Sequence, residues 1–143
     1  MNREKFIRKS FFNSLSGVID GPVGKVPIFD DKADSGINIY MLIEGQTARE
    51  QGDFVNRRWN STVTISINHK QDNSYTRDIV DDICESIETI ITPGKRSEWV
   101  LPGNEWGITN VYLSDVSYAD FQISSTQTIC VKYLTFNLLI TKI

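Results

Sequence analysis

Few residues of this chain combine the type and spacing that chemistry requires. The nearest approach to a phosphate-binding loop is Gly21-Pro22-Val23-Gly24-Lys25. Such a loop needs a glycine five positions ahead of its Gly-Lys pair, so that backbone amides can cradle phosphate. It also needs a serine or threonine after the lysine to reach Mg²⁺. Ile19 and Val26 occupy those two positions, and the segment reads as a turn between a helix and a strand. His69 is the single histidine, and a metal site would have to join it to carboxylates such as Asp72. One imidazole at a strand end is ordinarily a surface or capping residue. A nucleophilic pair would need His69 with Cys84 or Cys130, yet both cysteines sit in apolar patterns, where thiols are inert. No catalytic residue, metal ligand or cofactor is expected.

Two charged segments point to contact instead. Residues 75–90 hold Asp78, Asp81, Asp82, Glu85 and Glu88 against one arginine, Arg77. Carboxylates spread along a helix are normally solvated; read functionally, they form a negative contact surface. Residues 45–61 hold Arg49, Arg57 and Arg58 with Phe54, Val55 and Trp59, against Glu50 and Asp53. A connection this long inside a compact domain is usually functional. Arginine and aromatic residues are enriched at interfaces and sparse in disordered segments. The segment therefore reads as an ordered interaction arm, the alternative being an unstructured hairpin tip. If identical copies meet head to tail, the arm reaches the neighbour's acidic helix, a heterologous contact that can close into a ring. The same arginines could instead face DNA phosphates in a ring lumen, a weaker reading at a net charge of -3.

The bulk properties agree. At 143 residues, with 40% hydrophobic and 23% charged residues, the chain fits one domain with a real core. No apolar run approaches the roughly 20 residues that span a bilayer, and the N-terminal Arg3, Lys5, Arg8 and Lys9 are interleaved with phenylalanines rather than preceding a signal-like apolar segment. Two unpaired cysteines are expected to stay reduced, so an intracellular soluble domain is the expectation.

The elements follow from periodicity. Ile7, Phe11, Leu15 and Val18 predict a helix over residues 2–18, with Glu4 and Arg8 paired on another face. Val26–Phe29 predicts a short strand, placed at an edge or strand start by Pro27. Residues 37–44 are apolar on both faces and predict a central strand covered on both sides. Thr62–His69 alternates strictly, with Val63, Ile65 and Ile67 facing a core. Asp72-Asn73-Ser74 offers N-caps for a helix to about Ile91, with Ile79, Ile83, Ile87, Ile90 and Ile91 as its stripe. A loop over residues 92–106, with Trp99 and Trp106, leads to two long strands, Ile108–Phe121 and Gln127–Ile140. The fold class is α+β, a largely antiparallel β-sheet with two α-helices packed on one face.

This order of elements resembles the tailed-bacteriophage tail-terminator and tail-completion (head–tail joining) proteins. The resemblance is carried by the N-terminal helix, Val26-Pro27-Ile28-Phe29-Asp30, the strand Asn38–Gly45, the long hairpin excursion, the alternating strand and the amphipathic helix. It spans roughly residues 1–91. The stretch Ser66–Asn73 departs from the aromatic strand and short polar turn common in that family. The resemblance implies a virion protein without catalysis that forms a homo-oligomeric ring, usually a hexamer, between the tail tube protein and the head-side connector. It would be made in the host cytoplasm. Alternatives are another neck ring, or a small-ligand domain or enzyme with a pocket near the 92–106 loop.

Overall fold

The computed structural model describes residues 3–30, 32–33, 36–52, 57–91 and 106–142. Phe54 and residues 92–105 of the predicted second loop lie outside them, as do the side chains of Arg49, Arg57 and Arg58. The element order is α1 (Arg3–Leu15), β1 (Asp20–Gly21), β2 (Gly24–Lys25), β3 (Ile28–Asp30), β4 (Ile39–Gly52), β5 (Arg57–Asp72), α2 (Asp78–Ile91), β6 (Trp106–Gln122) and β7 (Gln127–Lys142). Five strands form one sheet in the order β3-β4-β5-β7-β6, with β3 parallel to β4 and every other pairing antiparallel. Both helices pack on the same face, as expected for the α+β class.

The core lies between helices and sheet. From α1 it takes Phe6, Ile7, Phe11 and Leu15; from α2, Val80, Ile83, Cys84, Ile87 and Ile91. The sheet supplies alternate residues of its central strands, Val63, Ile65 and Ile67 of β5 against Leu134 and Phe136 of β7. The predicted stripe of α2 is the buried one, with Ile79 and Ile90 at its margins.

The ends of the elements differ from the expectation, each for a local reason. Helix α1 stops at Leu15, because Gly17 takes φ 70°, a left-handed conformation that terminates helices. The chain then turns Val18 to solvent and buries Ile19 in its place. Gly21-Pro22-Val23-Gly24 is the tip of a small hairpin, β1–β2, with Gly24 at φ 122°. Asp72 does not cap α2. Its carboxylate accepts bonds from the backbone N–H and hydroxyl of Ser74, at 3.0 and 2.8 Å, and makes a turn. The helix begins six residues later, where the Arg77 carbonyl accepts the Asp81 N–H at 3.0 Å. Arg8 pairs with Asp30 at 3.3 Å and donates to Gln46 at 3.2 Å, tying α1 to the β3–β4 edge.

Two corrections bear on function. The described residues of the segment over 45–61 are strand rather than loop: β4 and β5 stay paired out to Gly52↔Arg57, past a bulge between Ile43 and Gly45. On the other side, β5 pairs with β7 as far as Arg58↔Thr141. The arm is thus the far end of the sheet. And β4 is not covered on both sides. Tyr40 and Leu42 project to the face opposite the helices, where no described element packs.

Candidate functional site

The surfaces that remain available decide what this fold can do. The open face is apolar in one half and polar in the other. Phe29, Tyr40, Leu42, Val131, Tyr133 and Phe121 occupy the half near β3, with Phe29 and Tyr40 in edge contact at 6.2 Å. The other half holds Thr64 bonded to Thr135 at 3.1 Å, then Thr62, Asn137 and Tyr112. Ser66 and Asn68 are buried within the apolar half, level with Leu42 and Tyr133 and with Tyr40 and Val131, and are joined by an amide-to-hydroxyl bond of 2.9 Å.

On the helix face, a polar network lies where α2 begins and β6 passes. Tyr75 Oη and Arg77 Nη2 both donate to Asp120 Oδ2, at 2.9 and 2.8 Å. Tyr118 Oη and Lys132 Nζ both donate to Asp81 Oδ1, at 2.6 and 2.8 Å. The Tyr118 ring lies between two cations, Arg77 at 4.4 Å and Lys132 at 4.9 Å from its centroid. The Lys132 hydrogen bond, with that of Tyr118, holds Asp81 below the usual carboxylate range. Burial pushes Asp120 upward, but the hydrogen bonds from Arg77 and Tyr75 outweigh it and leave it lowered. Burial likewise pulls Lys132 down, and its bonds to Asp81 and Tyr118 reverse the direction. Each carboxylate has its own cation, so the network clamps the edge strand β6 and the central β7 onto α2.

The thiols are closed off. Cys84 and Cys130 are 3% and 0% exposed, and burial pushes both up to about 11. Thiolate is the reactive form, so at pH 8 neither should react with a thiol-specific disulfide reagent within minutes, and both should react in urea. Rapid labelling of the folded protein would contradict this packing. His69 stands across from Cys130 and Ile39, half-buried, with desolvation lowering its pKa and no hydrogen-bond partner for Nδ1. It is neutral at pH 7.

The nine contact residues expected from the sequence divide clearly. Asp78, Asp82 and Glu85 are exposed on α2. Asp81 is half-exposed but already committed to Lys132 and Tyr118. Trp59 is 4% exposed and belongs to the core, so it is corrected from contact residue to packing residue: it pairs with Ile140 on the helix face of the sheet. Arg49, Arg57 and Arg58 lie on the strands of the arm, and Phe54 falls outside the described residues. Along the sheet, Arg58 of the arm lies well away from Asp81 at the start of the acidic helix. Arg58 stands nine residues along β5 from Ile67, the strand partner of the Lys132 that holds Asp81. At about 3.3 Å per residue that separates them by roughly 30 Å.

Sequence reasoning missed Lys132, Tyr118, Asp120 and Tyr75. One signal was present. Lys132 falls on the apolar phase of β7, between Cys130 and Leu134, and a cation there requires a carboxylate from another element.

No protein-family model and no curated protein matches the chain. Among solved structures, its fold is similar to that of a chain in the virion of a native gene transfer agent particle. The TM-score is 0.60 at 12% identity, over 83% of this chain and 81% of that one. At that identity the likeness concerns the fold.

Proposed function

We propose that this protein is a structural component of a tailed-phage virion that forms a homo-oligomeric ring at the head-proximal end of the tail, as a tail-terminator or head–tail joining protein, without catalysis. The observation that carries the reading is the shared fold, over most of both chains, with a component of a virion particle. The resemblance in element order to tail-completion proteins supports the finer placement, and a hexamer is the copy number it implies. The tail tube protein and the head-side connector would be its neighbours. Surfaces suited to contact support assembly: the open sheet face, the exposed Asp78, Asp82 and Glu85, and the arm with Arg49, Phe54, Arg57 and Arg58. Because Arg58 stands roughly 30 Å along the sheet from the level of Asp81, a contact between the arm and the start of the acidic helix would join two copies.

Gold-labelled antibody to the chain, applied to purified particles, tests the placement. One focus at the head–tail junction is expected, and label spread over the particle or confined to particle-free lysate would overturn it. Arg57→Glu with Arg58→Glu should abolish oligomers if the arm meets the acidic helix. Oligomers of unchanged mass would exclude that contact and leave DNA in the lumen as the role of these arginines.

A further inference from the structure

The sheet ends in two edges without a strand neighbour among the described residues. One is β6, paired only with β7. The other is the outer half of β4, because β3 pairs only with Met41–Ile43 and no second described strand pairs with Gln46–Gly52. An open edge presents N–H and C=O groups that another strand can take. Chains that remain single guard such edges with lysines, prolines or short strands. Over its 17 residues β6 has no lysine, arginine or proline. Its charges are Asp115 and Asp120, and Asp120 is tied to Arg77. Exposed large apolar side chains also gather here: Tyr112, Val116, Tyr118 and Phe121 on the strand, and Ile123 just beyond it. Bulges follow Ile108 and Leu113, so Asp115–Gln122 is the longest unbroken stretch.

Strand sense decides which edge meets which. β4 and β7 run one way, β5 and β6 the other. Copies related by a rotation that keeps these directions would bring β6 of one against β4 of the next in antiparallel sense, the sense that a tight ladder favours. Each copy has one edge of each kind, so the contact repeats and can close. A contact between two β6 strands would leave β4 open and stop at two copies.

We infer that the protein assembles with itself by strand addition, the Asp115–Gln122 edge of one copy taking the Gln46–Gly52 edge of the next. The inference rests on the self-assembling reading above and names its interface. A second observation fits the same register. Within one copy Met41 of β4 is level with Tyr118 of β6, through Ile67 and Lys132. Cross-strand partners share a face, so Ala48, the register partner of Ser61 in a helix-side row, is the β4 residue that can meet Tyr118. Bringing the neighbour's Ala48 to that level shifts it six rows of the sheet, about 20 Å along the strands. At that contact the repeat is four strands, β4-β5-β7-β6, because β3 lies beside Met41–Ile43 only. At about 4.8 Å each they span roughly 19 Å, so this stagger corresponds to a strand tilt near 45°, close to that of closed sheets. The shift also carries the neighbour's arm, with Arg57 and Arg58, to the end of the sheet where α2 presents Asp78 and Asp82.

The test pairs two edge variants, each checked by its circular dichroism melt. Ser117→Lys with Phe121→Lys sets cations on exposed positions of one face of β6, Ser117 standing opposite Arg49 of the incoming strand in this register. Thr47→Asp with Gln51→Asp sets carboxylates on the same face of β4, Gln51 standing opposite Asp115 and both flanking Ser117 in this register. Each variant alone is expected to run as a single chain where the parent assembles, and an equimolar mixture is expected to assemble again. If the β6 pair costs the fold, Ser117→Lys alone carries the test. A β4 variant that still dimerises, or a mixture that stays single, overturns the contact. An assembling protein unmoved by either variant overturns the edge contact and leaves the ring standing, whereas a parent that is already a single chain overturns both.

Discussion

Phe11→Ala is expected to lower the unfolding free energy by about 3–5 kcal/mol, the range for emptying a buried aromatic site. Phe11 is fully buried, and its ring meets that of Phe136 at 5.6 Å with a 50° tilt. This contact joins α1 to the centre of β7. The polar tie of α1 to the sheet through Arg8 is half-exposed, so apolar packing by Phe6, Ile7, Phe11 and Leu15 carries the attachment. Small domains have only about 5–15 kcal/mol in total, so the variant should unfold at much lower urea. Phe12, one position on and 36% exposed, is the control; its alanine variant should cost only about 1 kcal/mol, well below the loss at Phe11. Equal urea midpoints for the two variants would contradict the orientation of α1.

The second large effect is an asymmetry in the clamp. Lys132 has a side chain 10% exposed, whereas that of its partner Asp81 is 45% exposed. Asp81→Ala leaves a buried ammonium without its carboxylate, with Tyr118 and the Cys84 thiol beside it, while Lys132→Met leaves a carboxylate that water can reach. Removing one partner of a fully buried pair costs about 3–5 kcal/mol. With Asp81 partly solvated, the loss for Asp81→Ala should be nearer 1–3 kcal/mol after screening. Lys132→Met should cost less, and the reverse order would contradict the geometry. The pH dependence follows from the directions of the shifts. Asp81 and Asp120 are depressed in the folded state, so their stabilisation is complete above the ordinary carboxylate value of 3.8 and is lost as pH falls through the lower folded values. Lys132 is raised, so its contribution is complete below 10.5 and is lost only as pH rises through its folded value. The difference between the parent and Asp81→Asn should therefore be constant near neutrality and close in acid. A gap that does not narrow as pH falls below 3.8 would contradict the pairing.

What the sequence made legible was what a strong period encodes. Val63, Ile65 and Ile67 alternate without a break, and the isoleucines of α2 recur every turn, so both elements and their buried faces could be read directly. The arm could not be read as strand. Gln46–Gly52 has no alternation and few β-formers, and it is extended because it lies against β5, which in turn lies against β7. The two apolar faces of β4 suggested cover on both sides, yet Tyr40 and Leu42 are partly sheltered by neighbours within the sheet itself. Helix α2 starts later than its best capping residues because Asp72 is spent on a turn, and Asn73 binds the Ser125 carbonyl and Thr128 across the β6–β7 connection. Of the contact residues, the acidic helix face was largely legible, because exposed carboxylates follow from the stripe opposite them. The inward turn of Asp81 was not, because it depends on Lys132, 51 positions away in sequence.

The central claim is that the chain closes into a ring. Mass by light scattering across a concentration series, with negative-stain images of the most concentrated sample, tests it most directly. One discrete oligomer seen as an annulus, with a mass near six chains, is the expected result. A single chain at every concentration, with no annulus in the images, would contradict it.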